Sequence, residues 1–429
     1  MKNLFIQKNL LSTELFLISL YPELIISVVI FPGEINPVYR YSGCMLMSAL
    51  FVLVCRMAFA CTNASDFTPP HTYKAENRIA ALDILKGIGI IMTIYGHWIY
   101  SSKYVCNMIW SVHMPLFFFA TGYTFSYKPA KIFFEKNLKT LLYPYSFGVF
   151  VIWVGCLLNH KYYTGDWGNI SKSLIQYILM GIYGSGSYSL KLPDGTEILP
   201  IGALWFICAL FICKFIFNCI LSNIEHERDR TFIVAAITIS GYILGKNFSQ
   251  PTGIWMPFSI ESGMTGLLFM YFGFLARQKN FFQISRFTLF VALSIYIIAI
   301  ITGNGTGFVT ASFPMGYFDF MGALSGCIVW YKIALLIEHR TIFIKKLLEI
   351  TGRNTLYILI FHLFELNWIN WSGLMSAILR GNSYGLIDRI ILFTIKFLFS
   401  FIMALIVNFF IRKIRHIKIT DNNTKTASR

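Results

Sequence analysis

Charge is what this sequence has least of. Asp, Glu, Lys and Arg make up 13% of the 429 residues, while 56% are hydrophobic and 17% aromatic. That balance excludes a soluble protein of this length and places the chain among polytopic membrane proteins. Acidic residues are the scarcer sign, 20 against 36 Lys plus Arg. In a membrane protein such an excess reports orientation and contact with anionic headgroups or phosphates, not nucleic-acid binding. No CxxC pair is present, and Cys106, Cys156, Cys208, Cys213, Cys219 and Cys327 lie in or beside apolar runs. The cysteines therefore read as small core residues rather than a disulfide framework or a zinc site, and no metal is expected. There is no internal repeat and no low-complexity segment.

What is present, from Arg78 onward, is a succession of apolar segments near the roughly twenty residues that a membrane-spanning helix needs. They fall at about 79–100, 105–127, 141–159, 201–222, 231–248, 258–276, 286–303, 315–337, 354–371 and 387–411, with ends good to a few residues. The expected fold is an all-α polytopic bundle of about ten core transmembrane helices. Lys128, Lys131, Lys136 and Lys139 follow the second span, Arg277, Lys279 and Arg286 the sixth, Arg340, Lys345, Lys346 and Arg353 the eighth, and Arg412, Lys413, Arg415 and Lys418 the tenth. Intervening loops such as 101–104 and 303–312 carry one positive charge or none, so the positive-inside bias makes both ends of the core cytoplasmic. The first span then runs outward. The longest outer connection, 160–200, is polar and aromatic and long enough to cover a pocket.

Residues 1–75 are an extension whose status the residues leave open. An apolar run from Leu10 to Phe31 is broken by Glu14, Pro22 and Glu23, and a second, Cys44 to Cys61, contains Arg56. The second ends in Ala58-Phe59-Ala60-Cys61, like a small-residue cleavage site, but without a basic region at the usual distance. Extra helices, a signal-like segment and an upstream extension all fit. Thr62 to Asn77, with Pro69-Pro70, makes a linker into a core domain of 76–415, and 416–429 form a polar cytoplasmic tail.

The first core span, RIAALDILKGIGIIMTIYGHW, carries Asp83, Lys86 and His97. Ionisable residues inside membrane segments are costly and face a bundle interior. Lys86 and His97 are about three helical turns apart, so both project from nearly one face, roughly 16 Å apart along the axis. Asp83 lies one turn before Lys86 near that face, where a plain i, i+3 ion pair is the structural alternative. The second span carries His113, expected at the depth of His97 if the two helices are antiparallel, and Pro115, which frees a backbone carbonyl. A neutral imidazole can take the proton of an attacking hydroxyl near neutral pH, whereas the bland role for either histidine is a hydrogen bond to a backbone carbonyl.

These residues sit in motifs. RIAALDILKGIGIIMTIYGH followed by HMPLFFFATGYTF resembles the opening of the membrane-bound acyltransferase 3 family, and within it the branch of fucose 4-O-acetylase and related acetyltransferases. Lys86 and His97 match that family's pattern of a basic residue, ten residues and a histidine. FFEKNLKTLLYPY, GALWFICALF and GRNTLYILIFH agree in order, and the resemblance covers about 78–415. It implies transfer of an acyl group, acetyl by the branch, from acyl-CoA to a hydroxyl of a sugar, polysaccharide or lipid-linked glycan at a bacterial inner membrane. Under it His97 is the general base, and His113 or the Tyr123 hydroxyl steadies the tetrahedral intermediate, with an acyl-histidine variant left open. Arg78, Lys136, Lys139 and Arg353 are candidates to hold the polyanionic coenzyme, though each also serves as topology-determining charge. Trp205 is a candidate sugar platform or an interfacial belt residue, and His362 a cavity lining or a helix-to-helix hydrogen bond. Membrane lipids, acyl-CoA and a carbohydrate or glycan are the expected partners. The rival reading is a secondary transporter using Asp, Lys and His as an ion path, which lacks its usual paired, interrupted helices here.

Overall fold

The computed structural model describes residues 79–98, 102–164, 170–186, 188–191, 197–279, 285–303, 306–340, 342–369, 371, 373 and 386–427. The readings made for residues 1–75 and for Arg78 lie outside them. The chain is an all-α membrane bundle, whose described strands are the two-residue β1 (Leu190–Lys191) and β2 (Glu197–Ile198), paired antiparallel. Its helices are α1 (Ala80–Trp98), α2 (Lys103–Tyr123), α3 (Ala130–Asn137), α4 (Tyr143–Thr164), α5 (Ile170–Tyr183), α6 (Trp205–Asn223) and α7 (Glu227–Ile243). The series continues with α8 (Ile260–Gln278), α9 (Arg286–Thr302), α10 (Tyr317–Arg340), α11 (Ile342–Arg353), α12 (Thr355–Trp368) and α13 (Leu386–Ala427). A π-helical turn, Leu138–Leu142, joins α3 to α4 without a break, and another, Leu244–Ser249, extends α7.

Every one of the ten expected spans contains a helix. Eight are long and apolar enough to cross a membrane, while α9 has 17 residues and α12 only 14. The sequence reading treats 160–200 and 338–353 as connections, yet they hold α5 and α11. In α11 the cations Lys345 and Lys346 share a helix with Phe343, Leu347 and Leu348, so a two-sided segment too short to span is easily taken for a charged loop. The segment expected as a polar tail continues α13 to Ala427.

α1 is the central element. Ala81, Leu82, Ile84, Leu85, Ile90 and Ile94 are all 2% exposed or less, so its apolar side chains are covered by neighbouring helices. It packs on α2, α10, α11, α12 and α13. On the periphery, α9 and α13 expose Phe287, Phe290, Ile297, Ile395, Ile402 and Phe409, the surface that hydrocarbon covers at no cost.

Glycine sets the closeness of two crossings. A Cβ on Gly352 of α11 would stand 1.7 Å from the Asp83 carbonyl oxygen of α1, and one on Gly122 of α2 would stand 1.7 Å from the Met270 carbonyl oxygen of α8. Backbone meets backbone there, the arrangement by which membrane helices gain dispersion contact where hydrophobic driving force is absent. Pro115 leaves α2 continuous through its middle turn. We expect Gly122→Ala and Gly352→Ala each to force these crossings apart and destabilise the purified protein by at least about 1–3 kcal/mol. Thermal unfolding in detergent, followed by loss of the monodisperse peak, measures it.

Candidate active site

Two groups of polar side chains stand at opposite ends of α1. At its start, Asp83 is 3% exposed and holds two cations: Lys86 Nζ lies 2.8 Å from its Oδ1 and Arg353 Nε 3.3 Å from its Oδ2. Arg353 also reaches Glu349, at 3.1 Å. One carboxylate therefore ties α1 to the end of α11, beside the Gly352 crossing. Arg353, a candidate for holding the coenzyme, is engaged in this ion pair network.

Lys86 also lines an apolar slot with Ile90 and Thr93 of α1, Met114 and Thr121 of α2, and Leu359 of α12. Thr121 is shared with a second, polar cavity that includes Lys128, Lys136, Asn137 and Lys214. That basic mouth is built by hydrogen bonds. Asn218 of α6 accepts from the Lys128 backbone N–H (3.0 Å) and donates to the Lys128 carbonyl (2.9 Å), pinning the loop between α2 and α3. Asn137 donates to the Phe133 carbonyl and accepts from Lys214. Of the cations singled out from sequence, Lys136 is in the mouth, and Lys139 is exposed on the π-turn and outside this lining.

At the far end of α1, Trp110 stands between two histidines, His97 and His113, and a third, His362, lies beside His97. His97, in the last turn, is exposed at the helix end, and its ring lies 5.7 Å from that of His362 and 5.3 Å from that of Trp110, centroid to centroid. Trp110 is in turn 5.1 Å from His113. His97 and His113 thus lie at similar depth with an indole between them, and His113 Nδ1–H donates to the Ile109 carbonyl at 2.9 Å. The histidine next to His97 is His362, which has no exposed surface. Its Nδ1–H donates to Glu365 Oε1 at 2.8 Å, and the other carboxylate oxygen takes the Trp371 indole N–H and lies 3.3 Å from Lys396 Nζ.

Tyr123 is away from this end. It lies ten residues beyond His113 on α2, about 15 Å along the axis, with its ring 5.6 Å from Tyr331 and its carbonyl accepting from Arg277. A hydroxyl there cannot steady an intermediate formed at His97. Trp205 is 5% exposed, stacked at 17° on Phe308. The two cavities are lined by neither Trp205 nor Tyr123, and by none of His97, His113 and His362, the slot reaching along α1 as far as Thr93. Asp319, to which the sequence assigns no role, accepts from the Met315 backbone N–H at the start of α10, the ordinary work of an acidic residue at a helix N-terminus.

Sequence reasoning misses Glu365, Lys396, Trp110 and Lys214. Two of these had a usable signal: a carboxylate and an ammonium inside apolar spans require each other.

Asp83→Asn removes the shared counter-charge of Lys86 and Arg353. Both cations keep some solvent contact, 31% and 41% exposed. The expected loss, about 1–3 kcal/mol, therefore falls between that of an exposed and that of a buried pair. The apparent Tm of the variant in detergent, compared with that of Arg353→Ala, measures it.

No curated protein and no solved structure matches the chain. The family described as an acyltransferase domain matches residues 79–413, which takes in both cavities, the ion pair network and the histidine cluster. The chain belongs to the acyltransferase 3 family of membrane acyltransferases.

Proposed function

We propose that this protein is an integral membrane O-acyltransferase that moves an acyl group, acetyl by its likeness to the fucose 4-O-acetylase branch, from acyl-CoA to a hydroxyl of a sugar or lipid-linked glycan. The supporting observation is a pair of cavities that share Thr121 in their linings: a basic mouth, and an apolar slot along the Lys86 face of α1. Coenzyme A is a polyanion at one end and a slender pantetheine arm at the other, and these two cavities suit those two parts. Lys128, Lys136 and Lys214 hold the phosphates, with the mouth facing the cytoplasm of a bacterial cell. The arm passes Lys86 and reaches Thr93, one turn below His97.

His97 is then the general base. It takes the proton of the acceptor hydroxyl as that oxygen attacks the thioester carbonyl, the carbon–sulfur bond breaks, and the proton returns to the departing thiolate. Exposure of His97 at the end of α1 gives a bulky glycan access that a closed pocket would deny. Asp83 fixes Lys86 and, through Arg353, ties α1 to the end of α11.

Purified protein is expected to release thiol from acetyl-CoA only when a glycan acceptor is supplied. His97→Ala should lower kcat by about a hundredfold or more. Lys136→Ala with Lys214→Ala should raise the KM for acetyl-CoA about tenfold or more with kcat nearly kept, as loss of uniform binding requires. Full activity of His97→Ala would remove the imidazole from the chemistry.

A further inference from the structure

Among the described residues, His362 is the histidine of the cluster with a carboxylate behind it. Its Nδ1–H is committed to Glu365, which fixes the tautomer and leaves Nε2 as a bare lone pair. That nitrogen is buried and has no hydrogen-bond partner among the described residues, in a ring 5.7 Å from the His97 ring. A buried acceptor with nothing to accept is costly, so such a group calls for a donor. With a nitrogen of each ring turned toward the other, this spacing leaves about 3.4 Å between them, and His97 is the exposed histidine of the cluster.

From this juxtaposition we propose that His362, oriented by Glu365, is a positioning residue for His97: its Nε2 accepts the His97 N–H, fixing which nitrogen of His97 faces the acceptor hydroxyl. When His97 takes the hydroxyl proton it becomes an imidazolium. The positive charge then forms one hydrogen bond away from an imidazole whose own proton rests on a carboxylate, the arrangement by which a buried acid orients and supports a working histidine. The proton never leaves His97 for His362, and it passes on to the thiolate as before. Lys396 and the Trp371 indole complete the Glu365 carboxylate, giving a buried anion its counter-charge and donors. The ionisable groups close enough to act on charge at His97 are His362 from α12, His113 from α2 and Lys396 from α13. His113 is separated from it by Trp110 and bound to its own backbone. The chemical role of His97 rests on the reading above, whereas the pairing itself does not.

Two measurements separate them. The first needs no acyl transfer: carbethoxylation of His97 by diethyl pyrocarbonate in the full-length protein, mapped by mass spectrometry across pH, reports its ionisation. In His362→Phe, which keeps ring volume and leaves Glu365 with Lys396 and Trp371, the midpoint is expected to move at least about one pH unit lower. Glu365→Gln is expected to move it the same way, and should it not fold, His362→Phe alone decides. The second is kinetic: both variants should lose at least about tenfold in kcat, with the KM for acetyl-CoA within twofold. A midpoint within about 0.3 unit of wild type in folded His362→Phe overturns the pairing, whatever the activity. A shifted midpoint in a protein that transfers no acyl group keeps the pairing and overturns the proposed function instead.

Discussion

Hydrocarbon cannot solvate an ammonium, a carboxylate or an imidazole, and this single constraint organises the bundle. α1 carries one of each within a segment that otherwise reads as lipid-soluble, so it cannot lie at the periphery. It sits instead among five other helices, its acid between two cations and its basic side chain against a cavity. The same constraint operates at the other end, where Glu365 can exist inside α12 only because His362, Trp371 and Lys396 converge on it. Polar groups thus stand at both ends of α1, each group held by partners from neighbouring helices.

The close crossings add rigidity. Where Gly352 meets Asp83 and Gly122 meets Met270, the helices approach at the level of their backbones, leaving no layer of side chains to shear. Interfaces of this kind hold their partners in one register. The depth of His97 relative to His362 is set by how α1 and α12 stand against their shared neighbours. In the proposed function that placement matters, because a base displaced by an ångström loses much of its effect.

How much of this the residues announce depends on where partners lie along the chain. The α1 stripe is legible because Asp83, Lys86 and His97 share one helix and a 3.6-residue period brings them to one face. The spans themselves are legible from length and hydropathy. The His362–Glu365–Lys396 cluster is harder to read: His362 and Glu365 are one turn apart, but Lys396 comes from the next span, across a connection whose length says nothing about register. Arg353 reads as a loop charge because α11 is too short and too two-sided to announce itself as a helix. Tyr123 and His113 belong to one motif in the sequence, and only the rise of the helix separates them by about 15 Å. Trp110, between two histidines, carries no signal that distinguishes it from any other aromatic residue in an apolar run.

The central claim is physical continuity from the basic mouth to the His97 imidazole. The most direct measurement is an experimental structure of the protein in lipid nanodiscs with a non-hydrolysable acetyl-CoA analogue. The account predicts phosphates against Lys128, Lys136 and Lys214, the pantetheine arm along Lys86 and Thr93, and the analogue's carbonyl carbon within about 3.5 Å of the space facing His97. A nucleotide bound away from those three lysines, or a carbonyl resting a helical turn or more from His97, would contradict it.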